Sequence, residues 1–200
     1  VHVAAWQGPT PDYDRAMRAN AEATGLIMAH CRHATAALVA STNSVYRPHA
    51  DPWHAYVETD PLGDPTAPHS PTYAVSKVGQ EAVARTMARA LGLPTAIARI
   101  NASYGPNGGL PAYHCDAIAA GRAVPLRSPD RSPYSPIHED DLAAQVAPLL
   151  DAAASPATIV NWCGDEMVTA EQWCALFGER PKVARSEERR VGKECRSRWS

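Results

Sequence analysis

Gly92-Leu93-Pro94-Thr95-Ala96-Ile97-Ala98-Arg99-Ile100 ends one element and opens another. Glycine at a helix C-cap with proline shortly beyond is a stop signal. The apolar run after it has the length and β-branching of a buried strand. Working upstream, the stopped helix runs from Tyr73 to about Leu91, and Ser70-Pro71 just before it reads as its start. Before that, Ala37-Leu38-Val39-Ala40 is a second short apolar run, ending in the polar group Ser41-Thr42-Asn43-Ser44. An Ala-rich helical stretch from Tyr13 to His33 precedes it, and Val1-His2-Val3-Ala4-Ala5 reads as the end of a buried strand. Strands alternating with helices argue for a parallel sheet covered by helices. Such sheets bind ligands beyond the carboxyl ends of their strands. Three polar clusters lie there, after Ala5, after Ala40 and after Ile100.

Tyr73 and Lys77 stand four apart, so on a helix they share a face. A free tyrosine has a pKa of about 10, too high for a base at neutral pH. A cation held alongside favours the phenolate and lowers that value. The pair is a proton-transfer device if its neighbours support it, and a half-buried Tyr beside a solvated Lys if they do not.

The 200 residues are 45% hydrophobic and 20% charged, a profile that suits one globular domain or most of a larger one. No apolar run reaches the ~20 residues of a membrane span, so no membrane partner is expected. The five cysteines are scattered without a Cys-x-x-Cys, which indicates neither a disulfide framework nor a zinc site and fits a reducing, cytoplasmic setting. The first residue is Val1, and a chain opening inside a strand is expected to be an N-terminally truncated fragment. Residues 185–200 resemble a translated sequencing adapter and are expected to be an artefactual tail. They carry six Arg or Lys and three Glu, so leaving them out takes the net charge from −2 to −5. No basic patch then remains for nucleic acid.

The rest of the chain is coarser. Residues 47–71 hold many Pro, His and Asp without periodicity and read as a long surface loop. A helix is expected over Pro111–Ala120, a strand over Tyr134–His138, a helix from Asp140 through Leu150 with acid at its start, and a strand over Thr158–Asn161. Thr169 and Gln172 make a capping box for a last helix through Phe177. His49, His54 and His69 share the long loop but match no ligand spacing, so no metal is expected. Trp53 and Tyr56 either cover a ligand or pack the loop down. Cys115 reads as a small buried apolar residue.

Three motifs occur in order: Ser41-Thr42-Asn43-Ser44-Val45-Tyr46, Tyr73-x-x-x-Lys77, and Arg99-Ile100-Asn101-Ala102-Ser103-Tyr104-Gly105-Pro106. Together they resemble the extended short-chain dehydrogenase/reductases, the NAD-dependent epimerase/dehydratase family. His138-Glu139-Asp140-Asp141 resembles a later junction of that family, and the resemblance covers about Val1 to Phe177. It implies a Rossmann-like doubly wound parallel α/β sheet missing its first βαβ units. Residues 1–110 would form the later portion of a dinucleotide-binding domain. Residues 111–184 would be mainly a small C-terminal substrate-binding part, with elements returning to the sheet. The implied cofactor is NAD or NADP. Tyr73 would be the acid/base and Lys77 its partner, with Thr42 holding the substrate oxygen and Asn20 matching the family's helix asparagine. Val3, Ala4, Ala5, Ser41 and Asn101 would join Tyr73 and Lys77 against the cofactor. Thr42, Asn43, Ala102 and Tyr134 would face a small-molecule substrate, and a homodimer is compatible with the family.

Departures narrow the reading. No glycine-rich phosphate loop occurs in these residues; in the family it precedes the equivalent of Val1. Dehydratase members carry Asp-Glu after the threonine, and here Asn43-Ser44 stand there, which argues against sugar dehydration. Ala102 and Tyr134 occupy places where nucleotide-sugar epimerases have Asn and Arg, removing a diphosphate clamp that Asn101 or Arg131 would have to replace. The activity implied is hydride transfer at a hydroxyl or keto carbon, by an NAD(P)-dependent oxidoreductase or epimerase. The alternatives are a non-catalytic nucleotide-sensing or regulatory protein on the same fold, or a fragment inactive as it stands.

Overall fold

The structure is a computed structural model, and it describes residues 1–63, 70–124, 126, 133–177 and 194–195. In chain order the elements begin with one helix in three parts: α1 (Tyr13–Ala16), a π-helical segment (Met17–Glu22) and α2 (Ala23–His30). Next come β1 (Ala37–Thr42), a 3-10 turn (Asn43–Val45), β2 (Ala55–Tyr56), α3 (Tyr73–Leu91), β3 (Thr95–Ile100), β4 (Ala102–Gly105) and β5 (Gly108–Gly109). Then follow α4 (Leu110–Ala119), β6 (Pro133–Tyr134), β7 (Pro136–His138), α5 (Glu139–Asp151), β8 (Thr158–Trp162), β9 (Val168–Thr169), α6 (Ala170–Leu176) and β10 (Glu194–Cys195). The chain divides into two units, residues 1–47, 58–100 and 144–161 in one, and 48–57, 101–143 and 162–200 in the other.

The first unit is the Rossmann-like parallel α/β fold that the alternation implies. Its sheet has the order β1-β3-β8, with β1 and β3 parallel and in register from Ala37 opposite Thr95 to Thr42 opposite Ile100. Both strands are buried, as apolar runs in a parallel sheet require. A core of Met28, Val39, Ala84, Ala88, Leu93 and Ile97 joins α2, α3 and the sheet. On α3 the residues Ala74, Lys77, Gln80, Glu81, Ala84 and Ala88 are buried, the three-and-four spacing of one helix face. A methyl at Gly79 would meet the Met17 sulfur at 3.1 Å, so this glycine lets the two helices approach. Gly92 ends α3 in the left-handed conformation, φ 60°, as its place before Pro94 implies.

Several details differ from the sequence reading. Ser70 is not the cap of α3: Thr72 occupies that position, and its side chain makes no capping hydrogen bond among the described residues. The Ser70 carbonyl instead accepts from Tyr73 N at 3.3 Å, so the chain enters the helix through a turn one step later than Ser-Pro suggests. The opening residues are not a buried strand. Only His2 pairs, with Val39, while Val1 and Val3 are each 67% exposed, because nothing among the described residues covers them. The loop after Arg47 is not wholly irregular. Tyr46 bridges Leu62, Arg47 N donates to Pro61 O at 2.8 Å and Gly63 N to Val45 O at 2.9 Å, satisfying backbone groups that a free loop would leave to water.

In the second unit, β4 lies between β5, antiparallel, and β7, parallel, and β6 pairs antiparallel with β9. The strand expected over Tyr134–His138 is therefore two strands in two sheets. Pro133 and Pro136 lack the N–H that a continuous ladder needs, and the chain changes sheet at Ser135. The core here is Ile118, Val124, Leu126, Ala170, Trp173 and Cys174, and Cys115 beside it is half-buried rather than buried. Thr169 and Gln172 form the expected capping box, with both reciprocal bonds present. Glu194 and Cys195 pair parallel with Ala55 and Tyr56. His69, Arg131 and the remainder of the 185–200 tail lie outside the described residues.

Candidate active site

The site is built where α3 begins beside the end of β1. Three consecutive residues of β1 are tied to three successive turns of that helix. Lys77 Nζ donates to Ala40 O at 2.7 Å, Ser41 Oγ donates to Glu81 Oε1 at 2.6 Å, and Thr42 shares a side-chain hydrogen bond with Tyr73. Thr42 Oγ1 also accepts from Ser44 N at 3.1 Å, capping the 3-10 turn and leaving its own proton to give. Thr42, Tyr73 and Lys77, expected together from separate motifs, thus share one strand end. Asn43 beside them is buried, and among the described residues its Nδ2 finds no partner; neither do the buried hydroxyls of Ser70 and Thr72.

The electrostatics differ from the expectation that Lys77 lowers the Tyr73 pKa. Burial pushes the Tyr73 phenol up, and the Thr42 hydrogen bond pulls the other way. Lys77 is itself 2% exposed, and burial lowers its pKa to about 8 against the opposing charge of Glu81. Its ammonium is spent on desolvation and on Ala40 O rather than on the phenol. His2, on the other flank of β1, is lowered by burial, by the Lys77 charge and by the chain's amino terminus.

Asn20 is not a solvent-facing helix residue. It is fully buried in the π-helical segment, where its Nδ2 donates to Trp6 O at 2.9 Å and to Ser76 Oγ at 2.9 Å. Its Oδ1 accepts from Trp6 N at 2.6 Å. Asn20 therefore holds the loop after Val3-Ala4-Ala5 against the first turn of α3. Val3, Ala4 and Ala5 themselves are exposed. Ser41 is buried against Glu81.

Sequence reasoning missed Glu81 and the network around it. Arg99 Nε and one terminal nitrogen donate to Glu81 Oε1 at 2.9 Å and Oε2 at 2.7 Å. Its other terminal nitrogen donates to Tyr46 OH at 2.9 Å and Glu58 O at 3.0 Å, and Tyr46 OH donates to Asn161 Oδ1 at 2.5 Å. Burial works against the Arg99 charge, but the bonds and charge of Glu81, with Tyr46, outweigh it and push the pKa up. The available signal was position: Glu81 follows Lys77 by four on the buried face, where a carboxylate needs a cation.

The remaining expected site residues lie in the second unit. Asn101 N donates to Trp162 O at 3.2 Å, Ala102 is buried in β4, and the Tyr134 ring lies 5.4 Å from that of Trp173. A cavity of about 460 Å³ in this unit is lined by Asn101, Ala102, Tyr104, Asn107, Tyr113 and Glu139, among others. In the long loop the His49 and His54 rings stack at 4.0 Å, Tyr56 OH accepts from His49 N at 2.9 Å, and Trp53 is 41% exposed. Among the described residues no group of three or more His, Cys, Asp or Glu could hold a metal ion, and no helix is long and apolar enough to cross a membrane.

A parallel α/β sheet with a threonine, a tyrosine and a lysine at one strand end defines a Rossmann-type protein of the short-chain dehydrogenase/reductase kind. The chain belongs to the NAD dependent epimerase/dehydratase family, whose model matches residues 1–161. No curated protein matches it. Among solved structures it is similar to a double mutant of DesIV, a dTDP-glucose 4,6-dehydratase from Streptomyces venezuelae with NAD and DAU bound. Identity there is 23% and TM-score 0.75, over 97% of this chain and 62% of that one. It is similar also to MoeE5 in complex with UDP-glucuronic acid and NAD, at 25% identity and TM-score 0.75 over 98% and 69% of the two chains. The UDP-glucose 4-epimerase of Thermus thermophilus complexed with NAD gives 19% and 0.74 over 97% and 66%. The chain spans about three fifths of the length of the first of these.

The residues present fit part of such a cofactor. An ammonium has three donors, and one of those on Lys77 is committed to Ala40 O. A buried cation with donors to spare beside a half-buried phenol suits a pair of ribose hydroxyls. Nothing in the 200 residues supplies a Gly-x-Gly-x-x-Gly cradle for a pyrophosphate.

Proposed function

We propose that this protein is an NAD(P)-dependent oxidoreductase or epimerase acting at a hydroxyl or keto carbon of a small molecule. The observation that carries the reading is the convergence of Thr42, Tyr73 and Lys77 at the end of β1. When bound, the nicotinamide accepts or returns a hydride. Thr42 and Tyr73 orient the substrate oxygen between their two hydroxyls, and Tyr73 takes or gives its proton. The raised phenol is the resting condition. The Thr42 hydrogen bond pulls that phenol down, and a bound cofactor carrying positive charge would add to the pull. Lys77 would hold the ribose with its remaining donors. The exposed Val3-Ala4-Ala5 backbone would line the cofactor. Asn20 fixes the loop that presents those residues.

Asn43 supports hydride chemistry without elimination. Its amide, like Ser44, offers no carboxyl to protonate a leaving hydroxyl, so a dehydratase step lacks its acid. The Asn43 Nδ2, without a partner among the described residues, suits an acceptor oxygen of the substrate. Ala102 and Tyr134 are assigned to the substrate as well. A nucleoside diphosphate sugar, such as those held by the similar structures, is one candidate class; a simpler secondary alcohol is the other.

The test is incubation with NAD and with NADP and a panel of nucleoside diphosphate sugars and plain secondary alcohols, with nicotinamide absorbance reading net oxidation or reduction and NMR of the products reading inversion at a hydroxyl carbon, which consumes no cofactor. Turnover with either class supports the enzyme. Cofactor binding without turnover on any of them favours a nucleotide-sensing protein instead.

A further inference from the structure

We infer that Glu81 is a positioning residue for the Tyr73–Lys77 pair, fixing which turn of α3 meets the end of β1. This rests on the reading of Tyr73 and Lys77 as the proton-transfer pair. The geometry is specific. Ser41 on β1 and Arg99 on β3 are opposite each other in the parallel register, and both donate to the same carboxylate oxygen of Glu81. The carboxylate therefore clamps the two strands to one helix. One turn before it on α3, Lys77 reaches Ala40 O, and one turn before that Tyr73 reaches Thr42. A helix shifted by one residue would break all three ties together. Ser41, Glu81, Lys77 and Arg99 are each no more than 4% exposed, so water cannot replace the lost bonds.

The charge argument runs the same way. Lys77 is buried, and Glu81 is the group whose charge opposes its loss of a proton. The other charged or titratable groups facing this point are few. His2 lies across β1, Tyr73 lies on the same helix, and Arg99 reaches in from β3 with its charge already bound by Glu81. β1 itself offers a carbonyl and two hydroxyls. Asp14, Arg15, Arg18, Glu22 and His30 on the helix that packs against α3 all lie away from the buried face.

The experiment is the titration of the lysine side chain by NMR in protein carrying ¹³C-lysine, with Lys77→Met assigning the signal. In Glu81→Gln the Lys77 midpoint is expected to fall by about one pH unit or more, a tenfold loss of proton affinity. Glu81→Asp, which restores the charge, is expected to recover most of it. A role confined to holding the fold together would lower stability in Gln and Asp variants alike without moving the Lys77 midpoint in the folded protein. Should Glu81→Gln not fold, Glu81→Met/Arg99→Met is compared with Arg99→Met alone, so that the difference between the two isolates the Glu81 charge, and the same fall is expected between them. An unchanged Lys77 midpoint in whichever of these comparisons can be made overturns the inference. Turnover by Tyr73→Phe separates this from the functional reading. An active Tyr73→Phe protein with a displaced Lys77 midpoint removes the acid/base role and leaves the coupling of Glu81 to Lys77. An inactive Tyr73→Phe with an unmoved midpoint does the reverse.

Discussion

Ser41 Oγ and Arg99 Nε, facing each other across the β1–β3 ladder, donate to one oxygen, Glu81 Oε1, at 2.6 and 2.9 Å. That shared acceptor makes the end of the sheet and the middle of α3 a single buried polar unit. Its stability consequence is asymmetric. Arg99→Met would leave Glu81 as an uncompensated buried charge and is expected to cost about 3–5 kcal/mol, whereas changing both residues to apolar ones costs much less. Urea unfolding of the single and double variants checks this, and a double variant no better than the single would refute it.

The pH dependence of stability carries a signature of Lys77. Its folded pKa, about 8, lies below the ordinary lysine value of 10.5. Between those two values the unfolded chain binds the extra proton, so this residue makes stability rise with pH across that window and fall as pH drops through it towards about 8. Tyr73 has the opposite sign: its raised phenol contributes below the ordinary tyrosine value and loses that contribution as pH climbs past it. The stability of wild type relative to Lys77→Met is therefore expected to increase from pH 8 towards 10, with a slope of at most about 1.4 kcal/mol per pH unit. Urea midpoints for both proteins at several pH values measure it; parallel curves would contradict it.

How far the chain could be read beforehand follows from which signals are local. The β1 and β3 strands are apolar runs, and α3 ends at Gly92 and Pro94, so each was legible from its own residues. The capping box of Thr169 and Gln172 was legible for the same reason. Thr42, Tyr73 and Lys77 were legible as types, because short motifs carry them, and their meeting point follows from the parallel topology. Glu81 was not, since a helix glutamate reads as solvated until its partner Arg99, from another strand, is known to be buried with it. The π-helical segment around Asn20 was invisible for a related reason: what holds it is the Trp6 backbone and Ser76, far away in sequence. Tyr134–His138 reads as one strand because its apolar pattern spans Ser135, while the chain changes sheet at that residue.

Asn20 makes a direct prediction about the loop that follows Ala5. Asn20→Ala removes both bonds to the Trp6 backbone and one to Ser76, leaving buried groups unpaired at a cost of about 1–3 kcal/mol. Hydrogen exchange at the Trp6 amide, whose N–H is held at 2.6 Å, is expected to lose its protection in the variant. Unchanged exchange would show that the loop is held by something else.

At the other end of the chain, Thr169→Ala removes one arm of the capping box and is expected to lower stability by about 1 kcal/mol. Gln172→Ala removes the reciprocal arm. Thermal unfolding of the two single variants and their combination should show less than additive losses, because the bonds support each other.

The most direct measurement is turnover of the Tyr73→Phe protein against wild type, with the nicotinamide cofactor and whichever substrate class is accepted. Removing the phenol oxygen while keeping the ring is expected to lower the rate by about 10²–10⁴-fold, the usual contribution of a positioned acid/base. Cofactor affinity should stay near wild type because the Lys77 donors proposed for the ribose are untouched. Equal rates in the two proteins would contradict the assignment of proton transfer to Tyr73.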